Sequence, residues 1–275
     1  MSIRETPSVF MENVRIVHTD SGKPIVSGIS FALDRGRCLG IVGESGSGKT
    51  LVCRALLGLL PPALHAEGMI RFEGIDVPGL SSAEARHLRG TGMGAILQQA
   101  MTAFDPLYTI GAQITEILRE KMRLTKAEAD QRARASLQKV NLPESMMKSY
   151  PHQLSGGMLQ RCMIAVTLGL RSRLVVADEP VTALDARNQH DVLQRFRQLR
   201  EEHQATLIFV SHDLGAVQML ADSVLVMCRG RCVEAGDAHA VFNSPRHPYT
   251  QYLVSTRLAL TRGFHRMLGG HHARA

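Results

Sequence analysis

Apolar positions alternate at Val14 and Ile16 and again at Ile29, Phe31 and Leu33. This period of two predicts half-buried strands over a β-rich beginning from Val9 to about Leu39. The run from Arg37 to Val42 reads as a buried strand feeding a glycine-rich turn. A helix is expected from about Lys49 to Leu60, where Pro61 and Pro62 would end it. Between Ser81 and Leu170 the pattern becomes mostly helical: Ser81 to Glu84 has the form of a capping box, and Thr125 to Val140 is rich in good helix formers. This stretch reads as a helical insertion. Buried strands return at Leu174 to Ala177, Thr206 to Val210 and Val224 to Met227, with a charged helix from about Ala186 to Glu202 between the first two. Strand alternating with helix predicts an α/β core with a parallel-type sheet and helices on its faces. Beyond Gly236 comes a short extension carrying Pro245, Pro248 and a basic end from His265 to Ala275.

Composition narrows the class. With 44% apolar and 21% charged residues the chain has the balance of a folded globular protein. No run approaches the roughly 20 continuous apolar residues of a membrane span. Met1 to Phe10 carries Arg4, Glu5 and Pro7 and lacks an apolar signal region, so the expectation is a cytosolic chain. The five cysteines (Cys38, Cys53, Cys162, Cys228 and Cys232) are odd in number and without framework spacing, as reduced thiols would be. A net charge of +7 fits phosphate-bearing ligands or anionic surfaces. Trp is absent and aromatics are only 4%, so no base-stacking platform and no nucleic-acid partner is expected.

Gly43-Glu44-Ser45-Gly46-Ser47-Gly48-Lys49-Thr50 satisfies the phosphate-binding P-loop pattern and lies between a predicted strand and a predicted helix. Glycines let successive N–H groups turn toward phosphates, and the helix N-terminus adds favourable partial charge. Lys49 is expected to reach the β- and γ-phosphates and the Thr50 hydroxyl to ligate Mg²⁺. A structural glycine turn is the plainer alternative, but strand, loop, Lys-Thr pair and helix all agree on the first. The strand from Leu174 ends in Asp178 and Glu179, where the P-loop also opens. Adjacent residues project differently, which suits Asp178 to holding Mg²⁺ and Glu179 to polarising the attacking water. Alone, such an acidic pair would read as a solvated strand end; the P-loop changes that reading. Ser155-Gly156-Gly157 begins another helix and so makes a second anion-binding N-terminus.

With Leu154-Ser155-Gly156-Gly157-Met158-Leu159-Gln160 preceding Asp178, the chain resembles the ABC ATPases over about residues 9 to 240. The resemblance implies an α/β P-loop ATPase core with an antiparallel β subdomain and a helical subdomain at about 92–170. The domain would span 1–240 and the C-terminal extension 241–275. It implies hydrolysis of ATP with Mg²⁺, and closure of the Ser155 signature over ATP held by the P-loop of a second subunit, a paralogue or another copy. Gln98 resembles the Q-loop glutamine that contacts Mg²⁺ and the attacking water, Ala183-Leu184-Asp185 the D-loop at the dimer interface, and His212 the switch histidine that contacts the γ-phosphate. Where the family usually stacks adenine on an aromatic, this chain offers His18, and Gln99-Ala100 replaces a common Asp-Pro. Met101 to Pro106 and Asn243 to Thr250 look like the peptide, opine and nickel importer family, and Gly157 to Arg161 with Leu253 to Leu260 looks closer to its nickel-type branch. Oligopeptide import is the nearest alternative, and a soluble ABC-type ATPase acting on DNA or ribosomes is a further one. Two permeases, a solute-binding protein and a peripheral place at the cytoplasmic face of the inner membrane follow from the resemblance. A turn at Arg229 to Arg231 could bring Cys228 and Cys232 together, but ordinary strand packing explains them better, and neither they nor His271-His272 are assigned a transition metal.

Overall fold

The computed structural model describes residues 6–97 and 102–256. The chain opens with β1 (Val9–His18), β2 (Pro24–Leu33), β3 (Cys38–Val42), α1 (Lys49–Leu56), β4 (Leu64–Phe72) and β5 (Ile75–Asp76). It continues through α2 (Ser82–Thr91), β6 (Met93–Ile96), α3 (Ile110–Met122), α4 (Lys126–Lys139) and α5 (Gly156–Leu170). The remainder is β7 (Leu174–Asp178), α6 (Ala186–His203), β8 (Thr206–Val210), α7 (Leu214–Leu220), β9 (Ser223–Cys228), β10 (Arg231–Asp237) and α8 (Ala238–Asn243).

The strands run in the order β5-β4-β1-β2-β10-β9-β3-β8-β7-β6. The first four form an antiparallel arm. Strands β9, β3, β8, β7 and β6 are parallel, and β10 turns back antiparallel on β9. Among the described residues the strands of arm and core pair at Arg231 and Ser27.

Both faces of the parallel sheet are covered, which is why its strands read as unbroken apolar runs. On β3, β7 and β8 alternate residues enter different cores: Cys38, Val42, Val175, Ala177, Leu207 and Phe209 pack toward α3 to α7. Leu39, Ile41, Leu174, Val176, Ile208 and Val210 pack toward α1 and the arm. Burial of each such large side chain contributes about 1.5–3 kcal/mol. The cores thereby fix the carboxyl ends of β3 and β7 on the same edge of the sheet with β8 between them, where an open α/β sheet carries its ligands.

The capping box expected at Ser81 forms, with Ser81 accepting from the Glu84 amide and the Glu84 carboxylate accepting in return from Ser81. Helix α1 stops at Leu56, short of the expected Leu60. The Gly58 amide donates to Ala55 O and the Leu59 amide to Arg54 O, a Schellman closure around Gly58 at φ 61° that turns the chain before the prolines act. Strand β6 lies in the stretch read as mostly helical. It is too short to display a period and takes its conformation from pairing with β7. Helices α3, α4 and α5 pack on one another beside the core.

Candidate active site

The loop after β3 is shaped by backbone geometry that only glycine accepts easily. Gly43 has φ 148°, and a Cβ there would lie 2.1 Å from Met227 O. The loop then folds on itself: the Ser47 amide donates to Glu44 O at 3.2 Å, and the Gly230 amide donates to Ser47 O at 3.1 Å. Lys49 Nζ curls back to donate to the carbonyls of Gly43 and Glu44, each at 2.8 Å. Gly48 caps α1 with no side-chain hydrogen bond, so first-turn N–H groups and the positive end of the helix face the loop's hollow. Burial lowers the pKa of the Lys49 ammonium, opposed chiefly by the charges of Glu179 and Asp178.

Asp178, the last residue of β7, is 1% exposed, and neither carboxylate oxygen completes a hydrogen bond among the described residues. Desolvation raises its pKa, and Glu179 adds to the rise. Thr50 stands beside it and favours the charged form without completing a hydrogen bond of ordinary geometry. A buried, orphaned carboxylate next to a hydroxyl is the donor set a hard divalent cation takes, so the residues fit Mg²⁺.

Glu179 leaves the strand in the left-handed region, at φ 52°, with its amide held by Val210 O at 3.0 Å. Its carboxylate is nearly enclosed and accepts from Thr182 Oγ1 at 2.7 Å and from the His212 amide at 3.1 Å. His212 Nδ1 lies 2.9 Å from the same carboxylate, while the His212 side chain is 64% exposed. The His212 loop is fixed by the Asp213 amide donating to Ser211 Oγ, and Asp213 in turn caps α7 and accepts from Gln189 of α6. The P-loop, Thr50, Asp178, Glu179 and His212 together line a cavity of about 300 Å³, suited to phosphate groups.

Ile25 also lines this cavity, half-exposed on β2. The sequence reading missed it because nothing local marks it; the β2–β10 junction brings it there. His18 sits at the end of β1, half-buried, with Nδ1 unpartnered among the described residues, and is not among the residues lining the cavity. Gln98, with Gln99 and Ala100, lies outside the described residues.

Ser155 caps α5 by accepting from the Met158 amide at 3.3 Å. A Cβ on Gly156 would meet nothing within 4 Å, whereas one on Gly157 would lie 2.8 Å from Ala183 O. The signature turn is therefore pressed against the Ala183-Leu184-Asp185 segment of its own chain, and it does not line the P-loop cavity. Asp185 caps α6, and its hydrogen bonds with Asn188 hold its carboxyl below the usual range. Arg161 of α5 donates to Asn188 Oδ1 at 3.3 Å and Asn141 O at 3.1 Å, tying signature helix, D-loop helix and α4 together. That link is tertiary and had no signal in the spacing.

Cys228 pairs with Arg231 and Cys232 with Met227 across the β9–β10 turn, so the two thiols project to opposite faces. Among the described residues no helix is long and apolar enough to cross a membrane.

Fold and site together define a P-loop nucleotide-hydrolysing domain. The ABC transporter family profile matches residues 26–182. The metal-staphylopine import system ATP-binding protein CntD of Staphylococcus aureus (strain NCTC 8325 / PS 47) is 38% identical over 262 residues, covering 94% of this chain and 97% of that protein. The glutathione import ATP-binding protein GsiA of Escherichia coli (strain K12) is 41% identical over 89% of this chain, which spans 41% of GsiA's length. The oligopeptide transport ATP-binding protein OppD of Bacillus subtilis (strain 168) is also 41% identical, over 84% of this chain and 66% of that protein. Among solved structures, the dimeric structure of MJ0796, a bacterial ABC transporter cassette, superposes with a TM-score of 0.77 at 26% identity, covering 84% of this chain and 98% of that one. A dimeric post-hydrolysis form of the same cassette, bound to ADP and Pi, gives 0.76. The chain belongs to the ABC transporter family, as one of its ATP-binding subunits. It is an ATPase whose turnover is coupled to transport.

Proposed function

We propose that the chain is the ATP-hydrolysing subunit of an importer for nickel or a metal chelate, acting at the cytoplasmic face of the inner membrane as a peripheral protein. One observation carries the motor reading. The cavity gathers Lys49, Thr50, Asp178, Glu179 and His212, while Ser155, Gly156 and Gly157 stand off it in the same chain. A second anion-binding helix end with no phosphate to bind in its own subunit calls for one held by a partner, either a paralogue or another copy. The dimeric cassettes of similar fold support that assembly for those proteins.

In this reading the loop Gly43 to Gly48, through its inward-facing amides, and the Lys49 ammonium bind the β- and γ-phosphates. Thr50, Asp178 and Gln98 would hold Mg²⁺, which when bound neutralises phosphate charge. Glu179 orients and polarises the attacking water, and His212 contacts the γ-phosphate. Asp185 and the Ser155 turn meet the partner subunit's nucleotide, and His18 is the nearest candidate to the adenine. Residues 1–240 form the ATPase domain, with a helical subdomain at about 92–170, and 241–275 the extension. Two such subunits close head-to-tail over two ATP molecules, and closure drives two permeases that receive cargo from a solute-binding protein.

The metal reading rests on the likeness to CntD along nearly the whole chain, and the likeness to GsiA and OppD favours peptide cargo as the second reading. Uptake by cells carrying the chain with its neighbouring permease genes separates them. ATP-dependent accumulation of nickel, free or chelated, that is lost in Lys49→Ala supports the first. Accumulation of peptide with no metal uptake refutes it. Co-purification with ribosomes or DNA in place of permeases would remove both.

A further inference from the structure

The extension touches the phosphate loop. Residues 248–256 are helical, and Tyr249 packs half-buried against the core formed by α3 to α7. Its hydroxyl accepts a hydrogen bond from the Glu44 amide at 2.9 Å, across 205 residues of chain. Tyr249 is itself fixed. Its amide donates to His247 Nδ1 at 3.1 Å, and Glu234 of β10 accepts from the amides of Arg246 and His247 at 2.9 and 3.0 Å. A glutamate in the sheet thus nails down the segment that presents the phenol.

The bond falls on an informative peptide unit. The amide held by Tyr249 and the Gly43 carbonyl that accepts from Lys49 Nζ belong to one planar trans peptide, so the two groups point in opposite directions. Holding the N–H on the outside holds the C=O on the inside, toward the ammonium. Gly43, at φ 148° and free of a side chain, offers little resistance of its own to rotation of that peptide. We infer that Tyr249 is a positioning residue for ATP binding: through the Gly43–Glu44 peptide it sets the loop conformation that aims Lys49, and Glu234 sets Tyr249. The inference rests on the reading that the P-loop binds ATP.

The test uses the full-length chain in its assembled transporter. Tyr249→Phe removes one hydroxyl and keeps the ring in the core. The expected result is an ATP KM and Kd raised about 3- to 10-fold, the effect of one net hydrogen bond, with kcat within about twofold at saturating ATP. Hydrogen–deuterium exchange of the peptide spanning 43–48 should quicken while the melting temperature stays put. Glu234→Gln should move the same readouts in the same direction by less, and it decides the matter should Tyr249→Phe melt early. Unchanged ATP affinity and unchanged loop exchange, as when water simply replaces the hydroxyl, overturn the inference; so does a fall in kcat with KM unmoved. Lys49→Ala is run alongside. If it still binds ATP normally, the reading beneath has failed; if it does not and Tyr249→Phe is silent, only the positioning role has.

Discussion

Replacing Glu179 by Gln separates its structural work from its chemical work. The carboxylate accepts from the His212 amide through one oxygen and from Thr182 through the other, with His212 Nδ1 also against the second. Gln keeps an acceptor for the His212 amide. Its NH₂ replaces the other oxygen, but the Thr182 hydroxyl can turn to accept, and so can an unprotonated Nδ1. The net structural loss is therefore about 1 kcal/mol or less, one weakened hydrogen bond, and the left-handed backbone at residue 179 is unaltered. Ala would be a poorer probe, because it strips the His212 amide and Thr182 of their acceptor at once. If Glu179 polarises water, its loss should cost on the order of 10²- to 10⁴-fold in turnover, or about 2.7–5.4 kcal/mol of barrier. The assay is steady-state phosphate release by the purified transporter beside equilibrium ATP binding. The expected outcome is Kd within about threefold of the native value and kcat down by at least about a hundredfold. Turnover within a few-fold of native in Glu179→Gln would remove Glu179 from that role.

Asp178 has its pKa raised by burial, so it favours the folded state most below the pKa of the unfolded chain. That contribution is lost as pH rises through the folded value, leaving a buried charge at neutrality. Asp178→Asn should therefore raise the metal-free melting temperature at pH 7 by about 2–4 °C while abolishing the stabilisation given by ATP with Mg²⁺. In the native chain Mg²⁺-dependent ATP binding should weaken at a higher pH than an ordinary carboxylate would dictate, measured by calorimetry across the acid range. Gly157→Ala places a methyl 2.8 Å from Ala183 O and should destabilise by about 1–3 kcal/mol, whereas Gly156→Ala, with open space around it, should melt near the native temperature; equal melting of the two would contradict the packing described. Gly43→Ala should abolish ATP binding by forcing the loop off Met227 O, and retained affinity would mean the loop tolerates another path.

What could be read from the chain alone follows from how many local cues coincide. The β3 strand, the P-loop and α1 each had an independent signal, so their junction was legible, as were the acid pair ending β7 and the serine cap opening α5. The end of α1 differs from the sequence expectation because Pro61-Pro62 is the louder local signal, although Gly58 closes the helix first. Strands β4 and β6 gave no clear alternation. Their conformation comes from partners far along the chain, β1 and β7. Ile25, Arg161 and Tyr249 escaped for the same reason: each matters through a neighbour that only folding supplies. The Asn243 to Thr250 stretch carries a legible pattern, but nothing in it specifies the contact with Glu44.

The Arg229-Gly230 turn links β9 to β10. Ser27 of the arm donates to Gly230 O, and the Gly230 amide donates to Ser47 O in the phosphate loop. One residue thus grips two partners from opposite sides, beside the Arg231–Ser27 pair at which strands of arm and core meet. Arm and phosphate loop thus share Gly230 as a common hydrogen-bonded support.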